Sequence, residues 1–196
     1  MCCQRRFGNC TKSDLNIMAI NTILHEIERI LFYTKQARIA LTGGLHIGKT
    51  TTVRKLFDCL DTQGFDVVGV VENAVFVAQA RIGYNFEALG DFGVFGVEHS
   101  DRVWPVARRE GADGRYVFMP DAWVRAERWM RASECHEVLV IDELGRLEAG
   151  GEGLMPALRA SLGRVPRHVI AAVRRDAVKE IECQIGKFDR IFDLGG

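Results

Sequence analysis

Gly43, Gly48, Lys49 and Thr50 fall in the spacing Gly-x-x-x-x-Gly-Lys-Thr. Each residue type has a chemical reason to be there. Glycines let the backbone bend closely around phosphate oxygens and turn its N–H groups inward. A lysine adds a point charge for the β- and γ-phosphates, and a threonine hydroxyl can join the coordination of Mg2+. The stretch Gly43, Gly44, Leu45, His46, Ile47, Gly48, Lys49, Thr50 and Thr51 is therefore read as a phosphate-binding loop. His46 is read as a solvent-side filler, because backbone groups do the binding in such a loop. A second pattern, Val138-Leu-Val-Ile-Asp142-Glu143, is an apolar run ending in two acids. Asp142 is read as a Mg2+ ligand beside Thr50. Glu143 is read as the group that orients or deprotonates an attacking water.

These residues need elements to hold them. Arg38 to Thr42 is a short apolar run that leads into the glycine loop, and Val53, Leu56, Phe57 and Leu60 continue at helical spacing behind it. A buried strand followed by a helix is the setting a phosphate loop requires, because the helix offers its positive N-terminal end. Gly64 is a helix stop, and Phe65 to Val71 reads as a second strand. Arg81 to Leu89 alternates apolar and polar residues, which predicts a half-exposed antiparallel strand. Gly90 to Asp113 is rich in glycine and charge and reads as loop with at most short strands. Tyr116 to Met119 reads as a short strand, and Asp121 as the cap of a helix over Ala122 to Arg131. Glu137 to Asp142, His168 to Val173 and Ile191 to Leu194 are further strands. Leu154, Leu158 and Leu162 mark a helix between them, and Asp176 is placed to cap a last one through Val178, Ile181 and Ile185.

Strands alternating with helices predict an α/β fold with a mostly parallel sheet covered on both faces, a three-layer P-loop NTPase arrangement. It would carry a hairpin-bearing insertion between the first helix of the loop motif and the acidic strand. Ahead of it, Ile20, Ile23, Leu24, Ile27, Ile30 and Leu31 form one apolar stripe at helical spacing. The expected division is a Cys-containing tail over 1–12, an amphipathic helix over 13–36 capped by Ser13 or Asp14, and the P-loop NTPase domain over 37–196. The helix is expected to pack on the domain, and its stripe is also a surface through which a homo-oligomer could form.

Composition narrows the partners. Of 196 residues, 47% are apolar and 27% charged, which excludes a disordered chain. Lys plus Arg and Asp plus Glu each number 26, and a neutral chain lacks the basic surface that a nucleic-acid partner demands. No run approaches the roughly 18–20 apolar residues of a membrane span, and no apolar run follows Arg5 and Arg6 as in an export signal. The expected compartment is the cytoplasm. Cys2, Cys3 and Cys10 have no metal-ligand spacing, and the histidines form no local ligand pattern.

The motifs also occur in a recognisable order. Gly64-Phe65, Arg81-Ile82-Gly83-Tyr84 and Gly114-Arg115-Tyr116-Val117 stand between the P-loop and Ile141-Asp142-Glu143-Leu144-Gly145-Arg146-Leu147-Glu148. In this order they resemble the THEP-type nucleoside-triphosphatase family, from about Arg38 to Leu194. Ordinary P-loop proteins lack the Gly-Arg-x-Glu tail of the acidic motif. Two departures stand out: Glu72-Asn73-Ala74 lacks an arginine usual after the second strand, and Asp189-Arg190 replaces Asn-Arg. The resemblance implies Mg2+-dependent hydrolysis of the β–γ bond of a nucleoside triphosphate (ATP or GTP) with little base discrimination. Lys49 and Glu143 would then act with Arg146, which has two readings: it stabilises charge at the γ-phosphate, or it is a surface arginine paired with Glu143 or Glu148. A kinase built on the same cradle and a nucleotide-switched accessory protein with slow hydrolysis are the rival readings.

Overall fold

Uninterrupted runs of Val, Ile, Leu and Ala form the centre of the molecule because they can be covered on both sides. In the computed structural model, which describes residues 12–44, 47–90, 102–110, 114–119, 121–164 and 167–195, such runs become β1 (Arg38–Gly43), β6 (Val138–Leu144) and β7 (His168–Arg174). The other strands are β2 (Val67–Val77), β3 (Ala80–Leu89), β4 (Val103–Glu110), β5 (Arg115–Phe118) and β8 (Arg190–Asp193). The helices are α1 (Lys12–Tyr33), α2 (Lys49–Thr62), α3 (Ala122–Ala132), α4 (Arg146–Ala149), α5 (Met155–Arg164) and α6 (Val178–Ile185). Leu45, His46 and the cysteine-bearing start of the chain lie outside the described residues.

The eight strands make one sheet in the order β5-β4-β3-β2-β6-β7-β1-β8. Pairing is parallel from β2 through β6, β7 and β1 to β8, and antiparallel from β2 through β3 and β4 to β5. Successive side chains on a strand point to opposite faces, and the core divides accordingly. Leu139, Ile141, Val169 and Ala171 pack with Met130 of α3, Leu158 of α5 and Ile181 of α6. Val138, Val140, Ile170 and Ala172 pack on the other face with Leu56 and Leu60 of α2 and Ile27 and Leu31 of α1. Helices on both faces of a mostly parallel sheet, with an antiparallel extension, are the three layers the sequence predicts. No described helix is long and apolar enough to cross a membrane.

Four local expectations are corrected. The stretch read as loop holds the eight-residue β4, in which Trp104, Val106 and Ala107 are buried. Pro105 and the arginines hide it from a propensity reading. Pro105 sits beside the register shift against β3, where a missing N–H is tolerated. Strand β2 runs on to Val77, because β3 pairs with it along that length and the Asn73 amide donates to the Glu87 carboxylate at 2.7 Å. Helix α1 begins at Lys12, so Ser13 and Asp14 lie inside its first turn and do not precede it. Asp176 does not cap α6. It lies in the preceding turn, where its carboxylate accepts from Arg174, and Ala177 occupies the cap position.

Candidate active site

Strand β1 ends at Gly43, and α2 begins at Lys49. Between them Gly48 adopts a left-handed conformation with φ 86°, which a β-carbon would strain. No side chain caps α2 and no acid stands in its first turn, so its leading N–H groups and positive end are left for an anion. Lys49 is nearly buried. Its Nζ donates to the Gly44 carbonyl at 3.0 Å and stands 3.7 Å from Glu143 Oε1.

That second contact crosses the sheet. Strand β7 lies between β1 and β6, so Glu143 reaches Lys49 over the end of β7. Adjacent residues of a regular strand would face opposite ways, yet Asp142 and Glu143 both serve the Lys49 side. The pairing of β6 with β7 slips between Ile141 and Leu144, where these two acids stand. Asp142 is 1% exposed, and its carboxylate oxygens make no hydrogen bond of full length and alignment, although the Thr50 hydroxyl and the Glu72 backbone N–H stand near them; Glu143 Oε1 also lacks a hydrogen bond. Burial pushes the Asp142 carboxyl up to about 6 and the charge of Glu143 adds to this, while the Thr50 hydroxyl, the Glu72 backbone and Lys49 pull it down.

Two further acids share this environment. Burial pushes the Glu72 carboxyl up to about 7, followed by the charges of Asp142, Glu143 and Glu148, with Arg81 opposing. Glu148 is also raised by burial, but its oxygens accept from the backbone N–H of Gly145 at 2.9 Å and of Leu154 at 3.1 Å. Glu148 is thus engaged in holding the chain around α4, which explains the acid at the end of the extended motif. The carboxylate oxygens of Asp142 and Glu143 beside the Thr50 hydroxyl suit a hard, oxygen-seeking cation such as Mg2+.

A cavity of about 720 Å³ opens over these groups and continues across the antiparallel strands. Gly48, Lys49, Thr50, Glu143 and Arg146 line it, as do Glu72 and Arg174, while Asp142 is buried behind it. Arg146 is 79% exposed, and its ion pair is with Asp176 at 3.6 Å, not with Glu143 or Glu148. Thr51 is exposed on α2. Arg190, at the far end of β8, pairs with Glu26 of α1 at 2.7 Å.

Arg174 was not singled out by sequence reasoning. It ends β7, the strand between the two motif strands, and its Nε donates to Asp176 at 3.1 Å. The available signal was positional: parallel α/β sheets place their sites at the carboxyl ends of strands, and Arg174 ends an apolar run.

A family model described as NTPase matches residues 38–193. The chain belongs to the NTPase family. Its similarity to THEP-type members is explicit. It is 31% identical over 126 residues to the nucleoside-triphosphatase THEP1 of Methanopyrus kandleri, covering 62% of this chain and 64% of that one, just under two thirds of the relative. It is 29% identical over 134 residues to the human cancer-related nucleoside-triphosphatase, covering 63% and 68%. The solution structure of a human cancer-related nucleoside triphosphatase superposes with a TM-score of 0.60 at 24% identity, over 80% of this chain and 88% of that one. The crystal structure of THEP1 from Aquifex aeolicus gives a TM-score of 0.53 at 19% identity, over 81% and 90%. These two likenesses establish the shared fold.

Proposed function

We propose that this NTPase-family chain hydrolyses nucleoside triphosphates to diphosphate and phosphate, that it requires Mg2+, and that it discriminates little between bases. The observation that carries the reading is the meeting of Lys49 Nζ and Glu143 Oε1 at 3.7 Å beside the buried Asp142 carboxylate and the Thr50 hydroxyl. Lys49 would exchange the Gly44 carbonyl for β- and γ-phosphate oxygens, while the α2 N-terminus receives the rest of the phosphate charge. Thr50 and Asp142 would hold Mg2+, which supplies neutralisation of phosphate charge when bound. Glu143 would take the proton of a water whose oxygen bonds to the γ-phosphorus as the β–γ bridging bond breaks. Arg146 and Arg174, both tied to Asp176 at the cavity rim, are placed to meet charge developing on the γ-phosphoryl group. Weak base preference is what the resemblance to THEP-type members implies.

Phosphate release from ATP, GTP, CTP and UTP, with Mg2+ and with a chelator, tests each part. Comparable rates that vanish on chelation are expected. A rate unaffected by chelation would remove Mg2+, and one base preferred a hundredfold would remove the broad preference.

A further inference from the structure

The cavity continues well past the groups that phosphate hydrolysis uses. Its far half is walled by Arg81, Tyr84, Tyr116, Phe118 and Trp123 from β3, β5 and α3. The rings stand close together: Tyr84 and Tyr116 have centroids 5.4 Å apart, and Phe118 and Trp123 are 6.0 Å apart. Trp123 is anchored behind by Phe86 at 5.8 Å. Phe118 is nevertheless 45% exposed, so the wall presents apolar ring surface to the cavity. Arg81 lies over Tyr84, with its guanidinium carbon 5.4 Å from the ring centroid, and donates to the Tyr84 hydroxyl at 2.8 Å. Its place is thereby fixed. Among the described residues it forms no ion pair, whereas Lys49, Arg146 and Arg174 each face a carboxylate.

Sheet order decides which molecule can reach this wall. A triphosphate gripped by Lys49 with its γ-phosphorus toward Glu143 at the tip of β6 would lead its nucleoside the other way, toward β1 and β8. Strands β2, β3, β4 and β5 lie on the opposite side of β6. The aromatic wall is therefore reached beyond the γ-phosphate, out of range of the same molecule's base. We infer that this half of the cavity is a binding subsite for a second ligand, a planar aromatic molecule bearing an anionic group. Its ring would stack on the aromatic wall, and its anion would take the guanidinium N–H groups that Arg81 does not give to Tyr84. The inference rests on the triphosphate reading for which end of the cavity is which.

Adenosine 5′-monophosphate serves as the probe, titrated calorimetrically into the full chain saturated with Mg2+ and a non-hydrolysable ATP analogue. Adenosine supplies the ring alone and ribose 5-phosphate the anion alone. The monophosphate should bind with the analogue in place, and each partial probe should bind at least tenfold more weakly. Arg81→Gln and Phe118→Ser, both changes at solvent-accessible positions, should each weaken it tenfold or more at unchanged melting temperature. Displacement of the analogue by the monophosphate, absence of binding at millimolar concentration, or equal binding by wild type and both variants would overturn the subsite. Failure of the analogue itself to bind wild type would instead sink the triphosphate reading. The monophosphate titrated into the chain alone, with and without Arg81→Gln, would still test the wall.

Discussion

The two halves of the sheet are built on different rules. From β6 through β7 to β1, nearly every residue is buried, and apolar side chains fill both faces. The proposed catalytic groups there stand at or just beyond the carboxyl ends of the strands, at Lys49, Asp142, Glu143 and Arg174. From the outer part of β2 to β5 the strands are only partly buried, and functional candidates such as Glu72, Arg81 and Tyr84 lie along the strands themselves. A strand covered on both faces can spare only its tips, whereas an antiparallel strand with one open face can line a cavity along its length. The parallel half thus concentrates charge at one point, and the antiparallel half spreads a surface beside it.

The contrast can be broken at the tips first. Lys49→Ala should abolish most Mg2+-analogue binding, a loss of at least a hundredfold by calorimetry, with the circular dichroism of the fold retained. Full binding would show that the loop does not hold phosphate. Glu143→Gln should lower kcat by about 10² to 10⁴, the usual worth of a positioned base, with analogue binding within a few-fold of wild type. If single-turnover hydrolysis were unchanged, the base would move to Glu72, since Glu148 is spent on backbone donors.

Stability sharpens the comparison next. Leu139→Ala, at a fully buried position of β6, should cost about 2–5 kcal/mol in denaturant unfolding. Val117→Thr, at a 42% exposed position of β5, should stay within about 0.5 kcal/mol. Similar losses at both sites would erase the distinction between the halves.

A pH slope tests the charged side of the contrast. The folded Glu72 carboxyl titrates at about 7, against 4.5 for an unperturbed one. Between those values the folded chain holds a proton that the unfolded chain has released, so metal-free stability should fall as pH rises through that window. Glu72→Gln should flatten that slope in melting curves taken from pH 4.5 to 7.5. A slope that persists undiminished would mean that other groups produce it.

Much of the site was legible in sequence because its signals are local. Gly43 to Thr50 carry the spacing of a phosphate loop, and Val138 to Glu143 that of a buried strand with a polar tip; both patterns occupy a few consecutive residues. The apolar runs of β1, β6 and β7 announced a parallel sheet for the same reason. What escaped depends on neighbours far along the chain. Strand β4 carries Pro105 and the three charged residues Arg108, Arg109 and Glu110, and it is a strand because β3 and β5 flank it. Glu72 became an acid of perturbed character only when β2 was laid beside β6, next to Asp142 and Glu143. Arg174 entered the site because β7 was inserted between β1 and β6, and Arg146 found Asp176 across the same rim. The sequence by itself determined which residues are candidates to bind phosphate and which segments must be buried, since those follow from backbone freedom and hydrophobic periodicity. The tertiary structure alone decided which charges share a low-dielectric cavity and how far that cavity runs, because strand order brings together groups that no local spacing relates.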